Sequence, residues 1–145
     1  MSAPLAVLES SVLEQLRSAL LPTELAIEPY PEKPSEYQLL HPKGALLVFV
    51  QGSRYGKHSS GAMLRSTRFI VTLLLRNFKQ HQAAYDWIDA VQVLLFGFIP
   101  DGWQPITSVS DQFISEESGV WQYDLIFESS LLTTSQFNLC PLNLS

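Results

Sequence analysis

The spacing of apolar residues changes period along this chain, and each change marks an element. Near the N-terminus Leu5, Leu8, Val12, Leu16 and Ala19 recur at three- and four-residue steps, the repeat of one helix face. Ser2 can cap that helix, Pro4 is tolerated in its first turn, and Leu20-Leu21-Pro22 stops it. The pattern predicts an amphipathic helix over about 3–21, laid on a sheet. Residues 24–27 form a short candidate strand, after which prolines at 29, 31 and 34 hold an extended, donor-poor connector.

The period then drops to two. Residues 44–51 and 68–77 are dense in Val, Leu, Ile and Phe and read as buried strands. The connection between them, 52–64, holds three glycines and three serines, so it reads as a turn-rich loop and the pair as a hairpin with an oversized tip. Hairpin loops usually have about two to five residues, which makes a functional tip the expectation. Counting by twos turns Leu47, Phe49, Phe69, Val71, Leu73 and Leu75 toward the helices. Arg68, Ile70, Thr72, Leu74 and Arg76 then share the opposite face, half apolar and half charged, as a contact surface would be.

Asn77 followed by Gln80 has the capping-box form, and Ala84, Ile88, Val91, Leu95 and Phe98 continue as a helical stripe, widened by Tyr85, Trp87 and Leu94. Core packing accounts for that stripe. Residues 100–103 make a turn, 106–115 alternate weakly, and 116–119 turn again. Trp121, Tyr123, Leu125 and Phe127 then alternate with Gln122, Asp124, Ile126 and Glu128. The order α-β-β-β-α-β-β predicts an α+β fold: an antiparallel sheet of four to five strands with two helices on one face. One domain over 1–133 and a tail over 134–145, frayed or docked on a neighbour, complete the expectation.

Composition adds surplus apolar surface. The chain is 46% hydrophobic and 16% charged, against about 25% charged in typical domains, and oligomerisation is the ordinary way to cover such surface. The net charge of −5 is segregated. Residues 1–36 carry six acids and two bases, 37–85 seven bases and no acid, and 86–145 eight acids and no base. Two readings stay open, solvated faces of different sign or subunits that stack basic side to acidic side. The N-terminus lacks a basic n-region and no apolar run approaches the roughly 18 residues of a membrane span, so a soluble cytosolic protein is expected.

No motif argues for an enzyme. His41, His58 and His81 have no acid or cysteine at ligand spacing, and Cys140 lies in the proline-containing tail rather than in a cradled turn. P-loop, dinucleotide and nucleophile-elbow patterns are absent. Neither cofactor nor metal is expected. Arg54, Tyr55, Lys57 and His58 do place bases beside an aromatic ring, a single-strand-binding pattern. A small nucleic-acid-binding protein using loop 52–64 is therefore the alternative reading, opposed by the acidic whole.

A series of short segments carries a resemblance: Tyr37-Gln-Leu-Leu-His-Pro-Lys-Gly-Ala-Leu-Leu-Val48, Gly52-Ser-Arg-Tyr-Gly56, Arg76-Asn77, His81-Gln-Ala-Ala-Tyr85, Asp89-Ala-Val91 and Gly119-Val-Trp-Gln-Tyr123. In this order and spacing, over about 13–133, the chain resembles the tail-terminator (tail-completion) family of Mu-like contractile-tailed phages and prophages. Many relatives have Gly where Ala83 stands, a helix-compatible change. The resemblance implies a structural virion protein at the tail neck, assembled in the host bacterial cytoplasm. It implies a hexameric ring that caps the tail tube, with the tube protein, the sheath protein and the head connector or stopper as candidate partners. Duplex DNA would pass an acidic channel without specific binding, and no membrane is involved. Arg54, Tyr55, Lys57 and His58 then become the loop that touches the tube or a neighbouring ring. Arg65, Arg68, Arg76 and Lys79 of one subunit would meet Asp124 and Glu128 of the next, unless those charges neutralise each other across strands of one sheet.

Overall fold

A computed structural model describes residues 3–19, 25–34, 37–39, 43–57, 61–76 and 81–134. They form two helices, α1 (Pro4–Ala19) and α2 (His81–Leu95), and five strands, β1 (Ala26–Pro29), β2 (Gly44–Lys57), β3 (Ala62–Arg76), β4 (Thr107–Glu117) and β5 (Val120–Thr134). The strands make one sheet in the order β1-β2-β3-β5-β4. Element order and layering are those the periodicity predicts. The sheet is mixed, because β1 runs parallel to β2 while every other neighbouring pair is antiparallel. The α1 cap at Ser2, the 77–80 capping box and the tail beyond Thr134 lie outside the described residues.

Leu8, Val12, Leu13 and Leu16 of α1 and Ala84, Ile88, Val91 and Leu95 of α2 are buried against the sheet. Leu13 takes the place expected for Ala19, which is exposed, and Tyr85 points out of the α2 stripe. Phe69 and Phe127, cross-strand partners on β3 and β5, stack with ring centroids 5.5 Å apart at the centre of the core. Trp103 is pulled in by the 100–103 turn, and its indole N–H donates to the carbonyl of Pro4, tying the start of α1 to the sheet.

The helix-facing side of β2 differs from the count by twos. Leu46 and Val48, not Leu47 and Phe49, join the core. Cross-strand partners in an antiparallel pair share a face, and Leu46 pairs with Leu73, Val48 with Val71. Ala45 to Val50 are apolar at every position, so the strand's own alternation carries no face information; the register with β3 decides it.

The hairpin tip is also shorter than the glycines and serines suggest. Pairing of β2 with β3 continues through Arg54↔Ser66 and Tyr55↔Arg65 to Lys57↔Met63, after one bulge between Val50 and Gly52. On the other side β3 stays paired with β5 out to Ala62↔Thr134. Most of 52–64 is therefore ladder, a three-stranded arm. Gly52 and Gly56 keep strand conformation because they pair with β3, which β5 holds in register from its other side; nothing lies within 4 Å of a Cβ added at either.

Gly44, at the start of β2, is different. Its φ is +148°, and a Cβ there would meet the Leu74 carbonyl oxygen at 2.0 Å. Gly44→Ala should lower unfolding free energy by about 2–4 kcal/mol, whereas Gly52→Ala should change it by less than about 1 kcal/mol. Urea midpoints of the two variants check this, and equal midpoints would contradict it.

Candidate functional site: the open sheet face and the basic arm

With both helices on one side, the other face of the sheet is left to side chains and loops. Its central row is polar. Asp124 on β5 accepts from the Thr72 hydroxyl on β3 at 2.9 Å and from the Gln122 amide at 3.3 Å. Thr72 is 3% exposed, so this bond satisfies a buried hydroxyl and fixes the carboxylate. Asp124 is thus held by neutral donors rather than by an arginine.

Two same-face pairs along, beyond Ile70 and Ile126, Arg68 and Glu128 are register partners. The Arg68 guanidinium reaches Glu128 Oε2 at 3.3 Å, and Arg54 from β2 reaches the same oxygen at 3.0 Å. Both arginines are largely solvated, so the triad contributes on the order of 1 kcal/mol or less. The structure thereby brings Arg54, Arg68 and Glu128 together within one chain, the cross-strand alternative of the two readings.

Two flanking segments shade this face. Tyr30 donates its backbone N–H to Val48 and sets its ring against Phe49, centroids 5.4 Å apart. A groove of about 540 Å³ runs beside it, lined by Tyr30, Pro31, Phe49, Ile70, Thr72 and Asp124. At the other end Arg76 donates to the carbonyl of Leu39. Burial, and then the nearby Glu28 carboxylate, push the Tyr37 phenol above its usual pKa. Arg76 is therefore employed in holding the 37–39 segment to the sheet.

The arm carries the remaining predicted residues. Arg65 lies 5.5 Å from the centre of the Tyr55 ring and donates to Ser53 at 3.2 Å, while Ser53 shares a 2.7 Å bond with Thr67. Tyr55 and Lys57 are exposed on the helix side of the arm, beyond the helices. His58 and Lys79 lie outside the described residues.

A second surface escaped the sequence reading. Between α2 and β4 runs a groove of about 770 Å³ whose lining includes Tyr85, Asp89, Asp111, Phe113, Glu116 and Trp121. Phe113 meets Trp121 and Tyr123 edge to face at 6.3 and 5.4 Å. Burial, and then neighbouring Tyr85, raise the Tyr123 phenol above its usual pKa. The available signal was the spacing of Asp111, Phe113 and Glu116, blurred by bulges between Ser108 and Ser110 and between Phe113 and Ser115. Among the described residues no group of three or more His, Cys, Asp or Glu could hold a metal ion, and no helix is long and apolar enough to cross a membrane.

The solved structures include a chain of similar fold from a particle described as "Virion of native gene transfer agent (GTA) particle". The two share a TM-score of 0.64 and 17% identity, over 92% of this chain and 100% of that one. At such identity the likeness is one of fold. No curated protein matches the chain. The family model described as Gp37 protein matches residues 12–139, and this chain accordingly belongs to the Gp37 protein family.

Proposed function

We propose that this chain is a structural protein of a phage-like virion and, more narrowly, the ring-forming tail terminator that caps the tail tube and joins it to the head connector. The observation that carries the reading is the shared fold with a chain of a gene transfer agent virion, complete over that chain's length. The family resemblance in the sequence narrows it from virion component to tail terminator. Exposed Val93, Phe96 and Ile99 around the end of α2 fit a subunit that is covered by neighbours. In this reading the partners are five further copies, the tube protein, the sheath protein and the connector or stopper. The protein resides at the tail neck after assembly in the host bacterial cytoplasm, and duplex DNA passes the ring unbound.

The arm suits protein contact better than nucleic acid. Arg54 and Arg68 share the one carboxylate of Glu128, and the chain as a whole carries a net charge of −5, so the surface offers little net positive charge to displace counterions from a phosphate backbone.

Three outcomes follow. Averaged images of assembled tails should show six-fold symmetry at the head-proximal end; three-, five- or twelve-fold symmetry there would overturn the ring as stated. Replacing residues 55–65 by an Asn-Gly turn should leave a folded domain, since the core residues lie outside that segment, yet abolish attachment to tubes; normal tails from the variant would rule the arm out as the contact. Finally, Arg68→Glu should cost about 1 kcal/mol or less and be restored by Glu128→Arg in the same chain, with a coupling below about 1 kcal/mol in a double-mutant cycle. Rescue of assembly by mixing the two single variants would instead show that the pair forms across subunits.

A further inference from the structure

The sheet ends in two unlike edges. At one, β4 is the terminal strand, exposed at nearly every residue and carrying Asp111, Glu116 and Glu117 with no base. At the other, β1 covers β2 only from Ala45 to Val48. Among the described residues, β2 from Gly52 to Lys57 has β3 alone as a strand partner, and this stretch carries Arg54 and Lys57 with no acid. Each edge presents unpaired backbone groups, which template the addition of another strand.

We propose that β4 of one copy pairs with the arm edge of β2 in a second copy, so that one sheet runs from subunit to subunit. Topology favours this combination. Within a subunit β4 runs antiparallel to β2, because β2, β3, β5 and β4 alternate in direction. Through the β5 and β3 registers, β4 lies level with the Gly44–Gly52 half of β2; copies that follow one another facing the same way, each offset along the strands, therefore bring β4 against the arm of the next β2 as an antiparallel pair, helices on one side throughout. The incoming β4 continues along β2 where β1 stops.

Charge and face agree with it. Asp111, Phe113 and Glu116 share the helix side of β4, through their partners Leu125, Tyr123 and Trp121. Tyr55 and Lys57 share the helix side of the arm. Joined edge to edge, the acids and Phe113 of the 770 Å³ groove face Lys57 and Tyr55 of the neighbour. A β4–β4 pair would set three acids against three, and like charges directly opposite are destabilising. The contact is heterologous, so it closes into a ring when its rotation closes. This inference rests on the ring reading above and names the surface that forms it.

Cross-linking tests it in the full chain carrying Cys140→Ser. On the open face of the arm, Gly52 and Gly56 have nothing within 4 Å of an added Cβ. On the same face of β4 lie Ser110 and Gln112. Gly52→Cys or Gly56→Cys chains mixed with Ser110→Cys or Gln112→Cys chains, under a mild oxidant, should give mixed disulfide dimers. Neither β4 variant alone should give them. Asp111→Lys should lower the yield about tenfold, and Lys57→Glu in the partner should restore it. Disulfides from the β4 variants alone would overturn the proposal in favour of β4–β4 pairing. Oligomers seen by native mass measurement without cross-links would overturn it while leaving the ring intact. A chain that remains monomeric, alone and on tubes, and uncross-linked would overturn both.

Discussion

Strand length and helix length cannot match in this fold, and much else follows from the mismatch. At about 1.5 Å per residue, helices of 16 and 15 residues span about 24 and 22 Å. At about 3.3 Å per residue, the 15 residues of β3 or β5 span about 50 Å. A helical layer of that reach covers roughly half of the strands. Beyond it the sheet must stand in solvent on both faces, and the sequence changes there. Phe69, Val71, Leu73 and Leu75 are buried under the helices, whereas Arg65, Ser66 and Arg68 belong to the uncovered half. The arm holds together because β3 has a partner on each side along its whole length, so each backbone group of β3 in the extension has a ladder to join.

The same mismatch explains which parts of the fold were legible in the sequence. Buried faces of α1, α2 and β5 announce themselves, because each element has one covered side and a more open one and its residues alternate accordingly. On β2 both sides are covered near the start, by the helices on one and by Tyr30 and its proline segment on the other. Six consecutive apolar residues are the result, and no face can be read from them. Further along β2 neither side is covered, so selection for apolar residues ends, and Gly-Ser-Arg-Tyr-Gly resembles a loop in composition although it is strand in conformation. Its strand state derives from β3 and β5, which lie more distant in sequence than any local pattern reaches.

For the candidate site, residue type was legible and pairing was not. Arg54, Arg65, Arg68 and Arg76 were visible as a basic block. Their fates differ through register alone. Arg68 falls opposite Glu128, Arg65 opposite Tyr55, and Arg76 within reach of the Leu39 carbonyl. Asp124 lies opposite Thr72 and answers a buried hydroxyl rather than a cation. The charge blocks thus resolve into an internal share, spent at the centre of the open face, and an external share, left at the two ends of the sheet.

That external share is modest, and its weakness bears on assembly. An arm edge of six or seven residues spans about 20–23 Å and would not by itself reach the roughly 1,000 Å² expected of a stable interface. A free pair of subunits held by such an edge would dissociate readily. Closure alters the balance, because the last contact of a ring forms between ends already tethered and so gains an effective concentration that no open chain has. A tube end that gathers subunits supplies the same advantage before the ring is complete. Weak, directional, oppositely charged edges therefore suit a subunit that should remain dispersed until a tail is ready for it. Stronger edges on so long and exposed a strand would invite open-ended polymers instead.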